Sequence, residues 1–143
     1  MNRPSFRSRT EYKHWTAIST RWFDNDVYHH VNNTVYYSWM DTAVNGWLLE
    51  SGLLDLENGN PVGLVVETSC SYASPISFPD HIEVGLRTAS IGNSSVTYHL
   101  GVFIVGAENA SAQGHFIHVY VDRQSRRPVS LPERWRSKVK TLG

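Results

Sequence analysis

The strongest indication of the fold comes from residues 20–50, which read TRWFDNDVYHHVNNTVYYSWMDTAVNGWLLE. The first part of this stretch concentrates two acids, three asparagines and two adjacent histidines. In the second part apolar residues recur at three- and four-residue spacing, which is the pattern of an amphipathic helix. Asn32 or Asn33 can cap its first turn, and Gly52 stands where the helix would end. The stretch therefore predicts a polar loop followed by one helix of about eighteen residues.

The segments on either side of this stretch have an apolar period of two, which is typical of strands. One strand is predicted before the helix and four after it, in residues 11–23, 60–76, 78–91, 94–105 and 110–122. Turns rich in Pro, Gly, Asn and Asp separate the last four. Strands that follow one another directly favour an antiparallel sheet, and the apolar side of the helix would cover one of its faces. The sequence thus predicts an α+β protein.

Length and charge limit the domain organisation and the function classes. With 143 residues and 41% hydrophobic content, the chain suits one domain, for which we expect a core at about 11–123 and a basic C-terminal extension, 124–143, with a short helix near Pro132. Thirteen basic residues balance thirteen acidic ones. The chain therefore has no net positive charge that would attract nucleic acid or an anionic membrane, and we expect neither as a partner.

Cysteine content and hydropathy indicate the cellular compartment. Cys70 is the only cysteine, so an intramolecular disulfide and a cysteine-based zinc cage are excluded, and a small buried thiol is the favoured interpretation. The first ten residues, MNRPSFRSRT, lack the apolar region of a signal peptide, and no run is long enough to span a membrane. We expect a soluble, cytoplasmic protein.

The order of elements and one motif carry a resemblance to a known family. Asp24-x-Asp26, followed by His30-Val31-Asn32-Asn33 directly before the helix, resembles the hotdog-fold acyl-CoA thioesterases of the 4-hydroxybenzoyl-CoA thioesterase type. A looser match is SYASPISFPDHIEVGLRTASIGNSSVTY, residues 71–98, and the resemblance extends from about Tyr12 to Trp135. It implies an antiparallel sheet of about five strands wrapped around one long central helix.

The resemblance also implies an activity and a catalytic carboxylate. The activity is hydrolysis of an acyl-CoA thioester, with the CoA thioester as substrate and no separate cofactor. The second acid of the motif, Asp26, matches the catalytic carboxylate of the family. Many relatives have Gly where this chain has His29, which bears on the conformation of the loop.

Physical chemistry independently supports Asp26 as the reacting acid. It lies a few residues before the predicted helix, where the helix dipole and unpaired N–H groups favour a negative charge. The same N–H groups, around Asn33 and Thr34, can donate to a thioester carbonyl oxygen as charge develops on it. We therefore assign Asp26 and Asn33 to catalysis. Whether Asp26 attacks the carbonyl carbon or activates a water stays open.

The remaining polar residues of the loop have less specific assignments. We place His30, Asn32 and Tyr36 at the substrate, although His30 could instead order the loop, Asn32 could cap the helix and Tyr36 could belong to the core. Asp24 is expected to be structural. Because His29 and His30 are adjacent and would point in opposite directions in an extended chain, we expect no metal site.

Two further acids and the basic tail complete the set of candidates. Asp41 is a reserve catalytic candidate because another hotdog lineage places its acid on the helix, although an exposed helix acid is the favoured interpretation. Glu67 could approach the site of a second subunit. The tail, which includes Arg123 and Arg126, could meet the phosphates of coenzyme A, but scattered surface charge is favoured.

A sheet covered by one helix leaves an exposed edge and an incompletely walled pocket, both of which dimerisation can cover. Hotdog proteins usually join their sheets and build each site between two subunits. We therefore expect a homodimer, and a tetramer as a dimer of dimers is compatible with this arrangement. In such a dimer residues 67–72 of the second subunit could line the acyl or pantetheine channel.

Two alternative functions stay open at this stage. One is a hotdog enoyl-CoA hydratase or dehydratase, because Asp24 and His29 are five residues apart, which is similar to the spacing in that group. The other is a non-catalytic acyl-CoA-binding module, since a fold does not guarantee a chemistry. The acyl group is not determined, and the near-neutral charge favours CoA over acyl carrier protein as the thiol carrier.

Overall fold

Five strands form one antiparallel sheet in the computed structural model of the protein, which describes residues 5–143. They are β1 (His14–Ser19), β2 (Val62–Tyr72), β3 (His81–Ile91), β4 (Ser95–Ile104) and β5 (Ala112–Val121). Their spatial order is β1-β3-β4-β5-β2, so β1 and β2 form the two edges. The predicted α+β class and the hotdog arrangement of sheet and helix are confirmed.

The long helix α1 (Asn33–Glu50) connects the two edge strands and packs against one face of the sheet. Asn32 caps it, because its side-chain oxygen accepts the backbone N–H of Thr34 at 2.9 Å. The predicted apolar stripe is the buried one, and Tyr36, Trp39 and Trp47 all belong to the core.

Gly114 of β5 lies where a side chain has no room. A Cβ atom at this position would overlap the backbone carbonyl of Ser69 in the neighbouring strand β2 and would lie 3.1 Å from the sulfur of Met40 in α1. Glycine at this position therefore allows β2 and the Met40 side chain to pack against β5.

The first strand is shorter than residues 11–23, the range expected from the alternating pattern. After β1 ends at Ser19, the residues Trp22–Asp24 form a 3-10 turn. The turn closes because the carboxylate of Asp24 accepts the backbone N–H of Arg21 at 2.7 Å. Alternating side chains cannot reveal this bond, since the period-two pattern continues through the turn.

The C-terminal segment belongs to the core, which extends beyond the expected limit at residue 123. A short helix, α2 (Glu133–Lys140), begins after Pro132 as predicted. Its buried Trp135 packs against Tyr120 of β5 with ring centroids 4.7 Å apart. Val139 is also in the core, because two apolar residues four apart in a basic helix lie on the same side.

The edge strand β2 leaves apolar side chains in solvent. Residues 63–68 are all exposed, and the exposed fraction rises from 39% at Leu64 to 46% at Val65 and 58% at Val66. A β-bulge at Val66 shifts the register against β5 between Val65 and Glu67. An edge with unpaired backbone groups and exposed apolar side chains is a surface that a further strand can cover.

Candidate active site

A pocket of about 290 Å³ opens at the N-terminus of α1. The pre-helix loop and the first turn of the helix contribute one side, and the segment that follows β2 contributes the other. Its lining residues are His30, Val31, Asn33, Tyr36, Tyr72, Ala73, Ser74 and Pro75. Three of the five residues that the sequence assigned to the site, His30, Asn33 and Tyr36, therefore line one cavity.

One backbone N–H at the start of the helix remains available for a ligand. The N–H of Asn33 has no acceptor among residues 5–143, and Asn33 is exposed at the pocket. The expectation that the N–H of Thr34 is equally available is wrong, because the capping oxygen of Asn32 occupies it. A carbonyl oxygen in the pocket would thus meet one unpaired N–H at the positive end of the helix dipole.

Asp26 lies in the tight turn before the helix and is half-buried. One carboxylate oxygen accepts the backbone N–H of Tyr28 at 2.8 Å. The backbone carbonyl of Asp26 accepts the backbone N–H of His29 at 3.0 Å. The backbone N–H of Asp26 donates to the backbone carbonyl of His30 at 2.9 Å. Neither Asp26 nor Asn32 lines the pocket of the single chain.

The loop that carries Asp26 is anchored to the segment between β2 and β3. The N–H of Val31 donates to the carbonyl of Ile76 at 2.7 Å, and the hydroxyl of Ser77 donates to the carbonyl of His29 at 2.7 Å. These bonds connect the two sides of the pocket, so the position of the loop depends on the end of β2.

His29 adopts a left-handed backbone conformation, with φ of +64°. This conformation favours glycine, which is the residue that the family resemblance implies at this position. The loop therefore has the backbone turn for which glycine is best suited, although the residue is histidine. The side chain of His29 is exposed.

Asp24, the first acid of the motif, is fully buried. Its carboxylate accepts the backbone N–H of Arg21 at 2.7 Å and the guanidinium of the same residue at 2.9 Å. The carbonyl of Asp24 accepts the N–H of Asn32 at 2.8 Å. Asp24 therefore stabilises the loop, and its carboxylate is not open to substrate, which weakens the hydratase interpretation based on its spacing to His29.

Aromatic rings form the apolar wall of the pocket. Tyr36 and Tyr72 meet edge to face, with ring centroids 5.0 Å apart. Burial raises the pKa of Tyr36 to about 12, so its hydroxyl remains protonated at neutral pH. Burial also raises the pKa of the half-buried Cys70 thiol, in agreement with the packing role predicted for it.

The other acids considered in the sequence lie away from this pocket. Asp41 is exposed, accepts the side-chain amide of Asn45 at 3.0 Å, and lines a second cavity of about 440 Å³ between α1 and β2. Glu67 lies 2.7 Å from His115, which is one strand away. Neither acid shares a cavity with Asn33.

The sequence interpretation did not select Ala73, Ser74 and Pro75, which line the pocket directly after β2. The signal that could have found them is the S-Y-A-S-P run in the looser part of the family resemblance. They are missed because the turn that brings them to the helix N-terminus depends on the hydrogen bond between Val31 and Ile76.

Among residues 5–143 no three His, Cys, Asp or Glu side chains come together in a way that could hold a metal ion. None of the helices in the same range has the length and apolar character needed to cross a bilayer.

Comparison with known families identifies the chain. Residues 20–139 match the model of the thioesterase-like superfamily, and this range includes the pre-helix loop, α1, the sheet from β2 onward and all of α2 except its last residue. The chain belongs to this superfamily. The resemblance inferred from the motif is therefore confirmed at the level of the superfamily, and thioester hydrolysis is supported as its general activity.

Solved structures agree with this membership. The PA5185 protein of Pseudomonas aeruginosa is 50% identical, covers 96% of each chain, and superimposes with a TM-score of 0.92. A Thermus thermophilus thioesterase complexed with coenzyme A and Zn is 28% identical over 90% of this chain and 92% of the other, with a TM-score of 0.73. The 1,4-dihydroxy-2-naphthoyl-CoA thioesterase of Synechocystis, 18% identical over 90% and 96% with a TM-score of 0.80, shares the fold.

Proposed function

We propose that the protein is an acyl-CoA thioesterase that hydrolyses a thioester to a carboxylic acid and free coenzyme A. The observation that carries this proposal is the unpaired backbone N–H of Asn33, a residue that lines a pocket with an aromatic wall at the helix N-terminus. Coenzyme A bound to the Thermus superfamily member supports CoA as the thiol carrier. The CoA thioester is the substrate, and we propose no additional cofactor and no metal.

In this proposal the N–H of Asn33 donates to the thioester carbonyl oxygen. Negative charge develops on that oxygen as the carbonyl carbon is attacked, and the helix dipole stabilises it. Tyr36 and Tyr72 contact the acyl part of the substrate and His30 borders the thioester, while Asn32, which does not line the pocket of the single chain, holds the first turn of the helix. The carbonyl is thus polarised without a charged side chain.

Asp26 supplies the carboxylate in this proposal, and two chemical routes remain open. In the first, its oxygen bonds to the carbonyl carbon, the C–S bond breaks, and water hydrolyses the resulting anhydride. In the second, it takes a proton from a water whose oxygen attacks the same carbon. In both routes the leaving group is a thiolate whose thiol has a pKa of roughly 8 to 9, so a strong general acid is not required.

We further propose that the active form is a homodimer joined through the β2 edges, with a tetramer as a dimer of such dimers. The support is the exposed run at 63–68, which places apolar side chains and unpaired backbone groups at one edge of the sheet. In this dimer the pocket would gain a further wall from the second subunit. A cytoplasmic location remains a prediction from the sequence.

The experiment that tests the function is thiol release from short, medium, long and aryl acyl-CoAs. Wild type is compared with Asp26→Asn, and Asp41→Asn serves as the matched control because it makes the same change at an acid that borders a different cavity. We expect turnover that falls at least a hundredfold in Asp26→Asn and is retained in Asp41→Asn. Loss of activity only in Asp41→Asn would move the carboxylate to the helix.

Absence of thiol release from every substrate would contradict the proposal. Tight acyl-CoA binding without turnover would then identify a binding module. Hydration of crotonyl-CoA, followed by loss of the enoyl absorbance without thiol release, would identify a hydratase.

A further inference from the structure

A serine, a histidine and an acid are joined by hydrogen bonds on the face of the sheet that α1 does not cover. The Oγ atom of Ser69 lies 2.8 Å from Nδ1 of His115, and Nε2 of His115 lies 2.7 Å from a carboxylate oxygen of Glu67. We propose that these three residues form a separate nucleophilic site, at which Ser69 takes the acyl group of an activated ester or thioester. The proposal does not depend on the function assigned to the pocket at the helix N-terminus.

The pairing of β2 with β5 places the three side chains on one face of the sheet. Phe116 of β5 belongs to the core beneath α1, so the preceding residue, His115, points to the opposite face. Ser69 is directly opposite His115 in the register of the two strands. Glu67 lies two residues before Ser69 in β2 and therefore shares its face.

The β-bulge at Val66 brings the acid and the serine to this face. Val66 has no partner in β5, and Glu67 is opposite Ile117. Without the extra residue Glu67 would be opposite Phe116, on the face that α1 covers, and Ser69 would lie on that face as well. The bulge is therefore the backbone feature that places both side chains beside the histidine.

The two hydrogen bonds of His115 define the roles of its ring nitrogens. A carboxylate accepts hydrogen bonds and does not donate them, so in the neutral imidazole the proton lies on Nε2, which donates to Glu67. Nδ1 then accepts from the hydroxyl of Ser69. Serine hydrolases activate their nucleophile with the same order of groups, in which the acid orients the imidazole and the imidazole takes the proton of the hydroxyl.

The cluster is accessible from solvent. The side chain of His115 is 33% exposed and that of Glu67 is 59% exposed, while Ser69 is half-buried. A dimer joined through the β2 edges extends the sheet within its own plane, so such a dimer does not cover this face. A small acyl donor can therefore reach the hydroxyl of Ser69.

A second histidine beside the cluster adds no positive charge. His99 of β4 is directly opposite His115. Burial lowers the pKa of His99 to about 4, and the charges of Arg7 and Arg87 act in the same direction. His99 is therefore neutral at pH 7. His115 can take the proton of Ser69 without a second charged imidazole beside it.

The reaction forms an ester on the serine and then hydrolyses it. Oγ of Ser69 bonds to the carbonyl carbon of the donor while its proton passes to Nδ1 of His115, and the carboxylate of Glu67 stabilises the imidazolium. The bond from the carbonyl carbon to the leaving oxygen or sulfur breaks, and the leaving group takes the proton. Water that loses a proton to His115 then attacks the acyl-serine, which releases the carboxylic acid and restores Ser69.

The backbone around the cluster limits the donors that can react. The N–H groups of β4 and β5 lie in the plane of the sheet and pair between the strands, so they do not point toward a carbonyl oxygen above this face. Little stabilisation is therefore available for a strongly basic leaving group. Nitrophenyl esters and thioesters, whose leaving groups are weakly basic, are the class of donor that this site accepts.

The first test uses p-nitrophenyl acetate and locates the acetyl group by peptide mass spectrometry. Ser69→Ala removes the nucleophile and His115→Gln removes the base. Ser71→Ala is the matched control, because Ser71 lies two residues further along the same face of β2 and is opposite Gln113. We expect acetylation at Ser69 in wild type and Ser71→Ala, no acetylation at this position in Ser69→Ala, and a rate about a hundredfold lower in His115→Gln.

A fluorophosphonate probe detects the nucleophile when the acyl-serine is hydrolysed too fast to be observed. Oγ of Ser69 displaces fluoride from phosphorus, its proton passes to His115, and the phosphonate ester that forms resists water. A label on Ser69 that is lost in His115→Gln supports the proposal. No label on Ser69 with either reagent, or equal labelling of Ser69 in wild type and His115→Gln, overturns it.

Glu67 acts through the histidine and is therefore a positioning residue. Glu67→Ala should slow the labelling of Ser69 several-fold. NMR of the imidazole nitrogens should show that the proton of His115, which lies on Nε2 in wild type, is shared between both nitrogens in this variant. A side chain that only stabilised the sheet would leave the proton on Nε2, and this result would exclude Glu67 from the site.

The variant Asp26→Asn separates this site from the candidate active site. Labelling of Ser69 should be the same in Asp26→Asn as in wild type, even where thiol release from acyl-CoA falls. Loss of the label in a correctly folded Asp26→Asn protein would show that the acyl group comes from the pocket, and the separate site would be wrong. A protein that hydrolyses no acyl-CoA can still be labelled at Ser69, so failure of the proposed function leaves this test intact.

Discussion

The hydroxyl of Tyr72, at the end of β2, donates a hydrogen bond of 3.3 Å to the backbone carbonyl of Asn33, the first residue of α1. The exposed edge of the sheet is thereby joined to the helix N-terminus that provides the unpaired N–H. A substitution or a new contact in the edge strand can therefore alter the candidate site through this hydrogen bond, without any rearrangement of the core.

Tyr72 can be tested with two substitutions that separate its hydroxyl from its ring. Tyr72→Phe removes one exposed hydrogen bond and should lower the free energy of unfolding by less than about 1 kcal/mol. Tyr72→Ala also removes the ring that meets Tyr36, so the pocket loses a wall and KM for acyl-CoA should rise several-fold. Denaturant unfolding and steady-state kinetics check both, and equal KM values in the two variants would exclude the ring as a substrate contact.

The two acids of the motif should differ in their effect on stability. Asp24→Asn weakens a buried network that includes the Arg21 guanidinium, and we expect the free energy of unfolding to fall by about 2 kcal/mol. Asp26→Asn should lower it by less than about 1 kcal/mol, since only one hydrogen bond to the Asp26 side chain is weakened. Urea denaturation measures both. A larger loss for Asp26→Asn would contradict the structural role assigned to Asp24.

The buried His118 should make stability depend on pH. Burial lowers its pKa from 6.5 to about 4, so the unfolded chain binds a proton more readily between these values. Its contribution to stability is complete above pH 6.5 and decreases by roughly 1 kcal/mol per pH unit as the pH falls toward 4. His118→Phe keeps a ring in the core without a titrating group. Unfolding midpoints at pH 7 and pH 5 should differ less in this variant than in wild type.

The loop conformation at His29 predicts opposite effects of two substitutions. His29→Gly relieves a left-handed conformation that costs other residues about 1–2 kcal/mol, an effect partly offset by the greater freedom of glycine in the unfolded chain. The free energy of unfolding should therefore stay constant or rise by up to about 1 kcal/mol. His29→Val should lower it, because β-branched residues tolerate positive φ poorly. Thermal unfolding distinguishes these results.

The role of the β2 edge can be tested with a charge at its centre. Val66→Lys places an ammonium in the proposed interface, and Val105→Lys introduces the same change at a comparably exposed residue that follows β4. We expect light scattering to show dimers for wild type and Val105→Lys and monomers for Val66→Lys, with a loss of kcat/KM in the monomer. A dimeric Val66→Lys protein would place the interface elsewhere.

Local patterns in the sequence were sufficient for the helix and most of the sheet. The three- and four-residue spacing of apolar side chains indicated α1 and its buried stripe, because burial of one helix face depends on neighbours in the chain. The cap was recognisable as Asn32 or Asn33 for the same reason, and the structure shows that it is Asn32. The end of β1 was not predicted correctly, because the period-two pattern of the sequence continues to residue 23, whereas the turn closed by the hydrogen bond between Arg21 and Asp24 ends the strand earlier.

The candidate site, like the fold, was predicted only in part from the sequence. The sequence by itself determined the family motif, the helix N-terminus and the candidate residues His30, Asn33 and Tyr36, all within one short stretch of chain. Only the tertiary structure decided that Thr34 is already paired, that Asp24 is buried, and that the segment after β2 closes the pocket. These properties arise from contacts between residues that are distant in sequence or from the geometry of a turn, and neither leaves a periodic pattern in the chain.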